Sequence, residues 1–219
     1  MLIRFKLQYA LFGLVALLSG CSLFYSKPEV VVVRPPYEPI PNALDKEYFR
    51  SETGDLIGHY PHDWLQVNLE NNPELEDITE VYTDAKRTNA LVLEEIPGGA
   101  ELRRKVERDG LIAIAEESIQ LRIKKNRSFQ VTKQPAKFET DGIEYASYEY
   151  STTELGGTGQ LRHRVICVST GVRYYELAMV QLRLNNDNMG YLENFRLLQS
   201  VIASLEGTTR VITAPPVPK

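Results

Sequence analysis

Two histidines and an aspartate lie close together near the start of the predicted domain. His59, His62 and Asp63 form a His-x-x-His-Asp pattern, which offers two imidazoles and a carboxylate, ligand types that zinc accepts. Three ligands from one short turn converge poorly on a tetrahedral ion, and His163 is the only other histidine. We therefore expect structural or solvent-exposed histidines here, and a metal-dependent enzyme that uses His59 and His62 is the less favoured alternative.

The sequence lacks the usual patterns of covalent and phosphate chemistry. No serine lies in a Gly-x-Ser-x-Gly turn, and the glycine-rich run Gly156–Gly159 is not followed by the Lys-Ser/Thr of a phosphate loop. Cys167 lies in an apolar run, Val165–Val168, and we expect it to be a small buried side chain. These patterns favour a non-enzymatic protein.

Eight basic residues cluster in the segment that follows residue 100. They are Arg103, Arg104, Lys105, Arg108, Arg122, Lys124, Lys125 and Arg127. Acidic residues such as Glu107 and Glu116 lie between them, and Glu101 precedes them, so one interpretation is a solvated helix face with local ion pairs. The other interpretation is a patch that docks an acidic partner or anionic lipid.

The first 20 residues have the layout of an export signal. Arg4 and Lys6 precede an apolar run from Leu7 to Leu18, which is shorter than the roughly 20 residues that a membrane-spanning helix needs. Removal of this signal leaves 23 basic and 29 acidic residues, a net charge near −6. An acidic chain of this kind argues against nucleic acid as a partner.

The four residues at the end of the signal resemble the lipobox of bacterial lipoproteins. Leu18, Ser19 and Gly20 precede Cys21, and the resemblance implies cleavage before Cys21 and attachment of diacylglycerol and an N-acyl chain to it. Several lipid chains together hold a protein firmly on a membrane. Ser22 follows the cysteine, which in Gram-negative bacteria implies the periplasmic side of the outer membrane. No other cofactor is expected.

Proline content divides the mature chain into tails and a domain. Val30–Asn42 contains four prolines, which favour an extended tether and exclude helix. We expect a signal peptide over residues 1–20, a lipidated tether over 21–44, one domain over 45–207 and a proline-rich tail over 208–219.

Periodicity predicts an α+β domain with a largely antiparallel sheet. Ala100–Lys125 has helical spacing, with a kink or break expected at Gly110. A second helical stripe runs from Tyr191 to Leu205, and Gly207 is expected to end that helix. The predicted strands are Leu56–Tyr60 and Trp64–Leu69 as a hairpin, then Leu91–Ile96, Phe129–Thr132, Ile143–Ser151, Gln160–Ser169 and Tyr174–Leu184, the last apolar on both faces and therefore central.

Several short motifs resemble those of the PsbP-like family. Tyr60-Pro61 is followed by Trp64, Asp141–Ala146 opens a strand, and Gly171–Met179 resembles the family's Gly-x-x-Tyr-x-Leu strand. A final helix that ends in Ser204-Leu205 also fits. The resemblance covers about 150 residues and implies helices packed on a sheet as an α/β/α sandwich, with an accessory or docking role. Fold alone does not fix function.

Taken together, the patterns predict a lipid-anchored, non-enzymatic accessory or assembly protein that docks a protein partner in a cell-envelope complex. A carrier of a lipid or small apolar ligand, bound between sheet and helix, is the alternative.

Overall fold

The computed structural model describes residues 39–69, 78–125, 128–140, 143–153, 159–182 and 190–208, all within one compact unit, residues 35–219. The described part contains nine strands and three helices. They are β1 (Leu44–Arg50), β2 (Ile57–Pro61), β3 (Leu65–Gln66), β4 (Ile78–Thr83), β5 (Asn89–Ile96), α1 (Ala100–Asp109), α2 (Ile112–Lys125), β6 (Gln130–Thr140), β7 (Ile143–Thr153), β8 (Gln160–Ser169), β9 (Tyr174–Gln181) and α3 (Tyr191–Ala203).

Seven of these strands form one antiparallel sheet in the order β3-β4-β5-β9-β8-β7-β6, and β1 and β2 form a separate antiparallel pair. Helices α1 and α2 pack together, and α2 contacts β6 and β7, whereas α3 contacts β2 and β9. The predicted α+β class with a largely antiparallel sheet is confirmed.

Strand β9 lies in the middle of the seven-stranded sheet, and all eight of its residues are buried. Ala178 and Val180 belong to the core that contains α1 and α2, whereas Leu177 and Met179 belong to the core that contains α3 and the β1–β2 pair. The alternation of side chains along a strand sends these two sets to opposite faces. This arrangement explains why both faces of the strand are apolar, as the sequence predicted.

Gly110 breaks the predicted long helix into α1 and α2. Its φ of +73° lies in the left-handed region, which glycine adopts without a steric penalty. The backbone N–H of Leu111 donates to Oε1 of Glu144 at 3.2 Å, so a carboxylate from β7 satisfies a donor at the start of α2. The break is therefore part of how the helix pair sits against β7.

The predicted hairpin between Leu56–Tyr60 and Trp64–Leu69 is wrong. β2 pairs with β1 and β3 pairs with β4, because the aromatic rings of this region pack with side chains distant in sequence. Tyr60 stacks on Tyr82 of β4 with 4.2 Å between ring centroids, and Phe49 of β1 is buried in the same core. The short run 62–64 therefore connects two different sheets.

Candidate functional site

The histidine pattern near the first turn is engaged in local contacts. Nδ1 of His59 lies 2.8 Å from the backbone oxygen of Glu47, and His62 lies 3.2 Å from Asp45 and 3.4 Å from Asp63. Within the described ranges, no group of three or more histidine, cysteine, aspartate or glutamate side chains is placed to hold a metal ion.

The predicted basic patch divides into separate environments. Arg103 and Arg104 are exposed on α1. Lys105 lies 3.4 Å from Glu101 and 3.3 Å from Glu117. Arg108 lies 2.7 Å from Asp109 and is likewise exposed, as is Lys124 on α2. The side chain of Lys125 and the whole of Arg127 lie outside the described residues.

Arg122 does not belong to a surface patch, and the prediction was wrong for this residue. Its side chain is 20% exposed and points towards the sheet, where it donates to Glu94 and, at 2.8 Å, to Oε2 of Glu176. The guanidinium also lies over the ring of Tyr150, 5.1 Å from its centroid. Arg122 lies on the side of α2 that faces the sheet, where two carboxylates form ion pairs with it.

Glu176 is the centre of a buried polar cluster that the sequence did not reveal. Its side chain is 1% exposed and accepts hydrogen bonds from Ser118, from Arg122 and from Tyr148, at 2.9, 2.8 and 2.9 Å. The Sγ atom of Cys167 lies 3.6 Å from the same carboxylate. The one available signal was a single acidic residue inside an otherwise apolar central strand.

Two members of the polar cluster, Cys167 and Tyr148, stay protonated. Burial and the nearby carboxylate of Glu176 raise the pKa of the Cys167 thiol well above its usual value, so the thiol stays protonated and is a poor nucleophile. Burial likewise raises the pKa of Tyr148. The arrangement binds α2 to three strands of the sheet and does not resemble an activated nucleophile with a base beside it.

A cleft of about 380 Å³ opens between the helix pair and β6. Its lining mixes basic, acidic and amide side chains with a few apolar ones: Lys105, Arg108, Asp109, Ala113, Glu116, Glu117, Ile119, Gln120, Gln134 and Pro135. Two residues of the predicted docking patch, Lys105 and Arg108, are therefore part of this cleft. β6 forms the edge of the sheet beside it.

The end of the predicted tether is fixed to α3. The backbone N–H of Ile40 donates to Oγ of Ser200 at 2.7 Å, and the same hydroxyl lies 3.3 Å from the backbone oxygen of Ile40. Ser200 is buried on α3. The chain thus joins the domain on the α3 face of the sheet, whereas the 380 Å³ cleft lies on the face covered by α1 and α2.

Cys21 and its neighbours Leu18, Ser19 and Gly20, together with Gly156 and Gly157, lie outside the described residues. Lipidation and localisation therefore stay predictions. None of the helices in the described segments is long and apolar enough to span a membrane.

Comparison with known proteins gives no family assignment. No protein-family model and no curated protein matches the chain. A solved structure of a protein from Bacteroides thetaiotaomicron VPI-5482 is similar at 18% identity and a TM-score of 0.32. The match covers 73% of this chain and 47% of that protein, so the chain spans about half the length of the protein that it matches. The PsbP-like resemblance stays a prediction.

Proposed function

We propose that this protein is a lipid-anchored docking domain that holds a partner protein of a cell-envelope complex in the cleft between α1, α2 and β6. The observation that carries the proposal is the position of the cleft relative to the tether. The tether joins at Ser200 on the α3 face, and the cleft is lined by α1, α2 and β6, so anchoring leaves the cleft open to a partner.

The length of the tether allows such a partner to be reached away from the lipid surface. Eighteen residue steps separate Cys21 from Pro39, and at about 3.3 Å per extended residue they reach up to roughly 60 Å. A proline-rich chain of this kind is a semi-rigid spacer. A tether of this length is therefore long enough for the domain to work away from the membrane surface.

The charges of the cleft favour a protein partner over anionic lipid. Lys105 and Arg108 are balanced by Asp109, Glu116 and Glu117 along the same cleft, and the acidic groups repel phosphate headgroups. A peptide that carries both charges, with amides to meet Gln120 and Gln134, suits such a lining. Complementary charges of this kind improve specificity and association rate more than affinity.

Site-directed photo-cross-linking in the lipidated chain, in its own membranes, tests this proposal. A photoreactive residue at Gln120 or at Gln134 is expected to capture the same protein, because both side chains line the cleft. The same probe at Lys86, which is exposed in the turn before β5, is the control. Failure to capture a common protein from the two cleft positions, or equal capture from Lys86, would overturn the proposal.

Two charge reversals test docking, and one cysteine variant tests the membrane anchor separately. Arg108→Glu is expected to reduce the yield of the captured partner at least tenfold, whereas Lys86→Glu leaves it unchanged. Cys21→Ala is expected to release the protein from the membrane fraction, because the predicted lipid site is lost. Retention of this variant in the membrane would contradict the anchor while leaving the cleft experiment interpretable.

A further inference from the structure

A second cleft, of about 280 Å³, is formed by three adjacent strands, β6, β7 and β8. It is lined by Gln130 and Thr132 of β6, Glu149, Tyr150 and Ser151 of β7, and Gln160, Arg162, His163 and Arg164 of β8. Because side chains alternate along a strand, Arg162 and Arg164 share the face of Ile166, which packs in the α3 core. The second cleft is thus distinct from the docking cleft.

Arg164 is a buried cation held in place from the α3 side. The residue is 3% exposed, and its Nη1 donates to Oδ1 of Asn194 in the first turn of α3. Asn194 in turn donates to Oδ1 of Asn89 at 3.4 Å, and Nδ2 of Asn89 donates to Asp84 at 2.9 Å. A chain of buried hydrogen bonds therefore fixes the guanidinium before any ligand arrives, which lowers the entropic cost of binding.

The charge of this cleft is positive although the whole chain carries a net charge of −4. Arg162 is exposed and lies two residues from Arg164 on the same strand. The Cα atoms of the two arginines are therefore roughly 7 Å apart. Glu149 lines the cleft, but it lies 3.0 Å from Lys133 and 3.6 Å from Arg164. The charged residues that line the cleft are therefore two arginines and one glutamate, and Lys133, just outside the lining, offsets the charge of Glu149.

We infer that the second cleft binds a small oxyanion with two negative charges, either phosphate or a short dicarboxylate. Exposed Arg162 contacts the anion through its planar fork of donors, a geometry that suits phosphate and carboxylate oxygens. Arg164 supplies fixed positive charge at the inner end. Gln130, Gln160 and Thr132 offer neutral polar groups around the rim. The volume suits a small polar molecule and is too small for a diacyl lipid.

Calorimetric titration of the full-length protein in non-ionic detergent tests the inference, with inorganic phosphate in one arm and malonate in the other at constant ionic strength. Saturable binding of at least one anion is expected. Arg162→Gln is expected to weaken it at least tenfold, because the exposed contact is lost. Arg104→Gln, which removes another exposed arginine, on α1, is the matched control and leaves the affinity unchanged.

The two titrations distinguish phosphate from a short dicarboxylate as the ligand class, because the anion that binds more tightly identifies the class. No saturable heat in either arm would overturn the inference. Equal affinity in the Arg162→Gln variant, with far-UV circular dichroism that shows a folded protein, would overturn it as well. Partner capture from Gln120 is expected to be indifferent to Arg162→Gln, so failure here and failure of the docking proposal are separate results.

Discussion

Arg122 of α2 and Glu176 of β9 form an ion pair in the interior, with 2.8 Å between Nη2 and Oε2. Glu94 of β5 binds the same guanidinium. One cation therefore connects a helix to two neighbouring strands and offsets part of the charge of two carboxylates that burial would otherwise make costly. The remaining acceptor capacity of Glu176 is used by the hydroxyls of Ser118 and Tyr148.

Arg122→Met is expected to lower the free energy of unfolding by about 3–5 kcal/mol, because it leaves Glu176 buried without its cation. Lys124→Met, on the exposed side of the same helix, is expected to change it by less than about 0.5 kcal/mol. Urea unfolding followed by circular dichroism measures both values. The double variant Arg122→Met/Glu176→Gln is expected to recover part of the loss, and equal stability of Arg122→Met and Lys124→Met would refute the role of the pair.

The lowered pKa of the Asp55 carboxyl predicts that the folded protein loses stability in acid. Burial acts to raise the pKa of this carboxyl, but hydrogen bonds from Tyr175, Thr170, Thr53 and Ser51 outweigh burial and hold the pKa well below its usual value. Because the unfolded chain binds the proton more tightly, with a pKa of about 3.9, the stabilisation is present above that pH and is lost as the pH falls below it.

The Asp55→Asn variant isolates this contribution. It is expected to be less stable than the natural protein at pH 7, and the difference in unfolding free energy is expected to narrow as the pH falls below about 4. Asp63→Asn, which alters an exposed carboxylate, is the control. A difference between Asp55→Asn and the natural protein that is constant from pH 7 to pH 2.5 would contradict the assignment.

The lowered pKa of His163 predicts a second dependence of stability on pH, in a different pH range from that of Asp55. Burial and the nearby charge of Arg122 lower its pKa to about 3, and its ring stacks on Tyr150 with 4.1 Å between centroids. The unfolded chain takes up the proton near pH 6.5, so this residue removes stability progressively as the pH falls from about 6.5 towards 3.

The NMR resonances of the His163 imidazole report the protonation of this ring directly. The ring carbon resonance of His163 is expected to stay constant between pH 8 and pH 5, because the ring remains neutral in the folded state. His163→Phe keeps an aromatic ring against Tyr150 and is expected to flatten the stability profile between pH 6.5 and 3, whereas His62→Phe at an exposed position serves for comparison. A midpoint near pH 6.5 for His163 would show that the ring is solvated.

Local periodicity was sufficient to predict elements that can be identified from their own residues, without knowing which other elements they contact. The three- and four-residue spacing of Phe195, Leu198 and Ile202 predicted α3. All three side chains are buried, and Leu198 and Ile202 belong to the core on the α3 face of the sheet. The apolar faces of β9 predicted its central position, and Gly110 predicted the break between α1 and α2. Each of these signals is contained in one short segment.

Features that depend on distant partners could not be predicted in this way. Tyr60 of β2 stacks on Tyr82 of β4, 22 positions away, and no local pattern marks that contact or the pairing of β2 with β1. The ion pair of Arg122 with Glu176 joins residues 54 positions apart, and in isolation Arg122 fits a solvated basic helix equally well. β6 continues to Thr140 although Pro135 interrupts the strand pattern, because an edge strand tolerates proline.

Gly207 offers a test of the junction where the end of the chain returns to β2. Its φ is +91°, and a Cβ atom at this position would lie 2.1 Å from the backbone oxygen of Asp55. Glu206 pairs with Ile57 through two backbone hydrogen bonds in the same stretch. Neither the backbone oxygen nor this bridge can move aside as the end of a flexible side chain could.

Gly207→Ala is therefore expected to lower the free energy of unfolding by about 1–3 kcal/mol, through a strained backbone angle and a backbone clash. Gly99→Ser is the matched control, because a Cβ atom there meets nothing within 4 Å and serine suits the N-cap position that Gly99 occupies before α1; it is expected not to lower the free energy of unfolding by more than about 0.5 kcal/mol. Urea midpoints of the two variants measure the difference, and hydrogen exchange at Ile57 reports whether the bridge opens. Equal midpoints with unchanged exchange at Ile57 would show that the junction does not constrain Gly207.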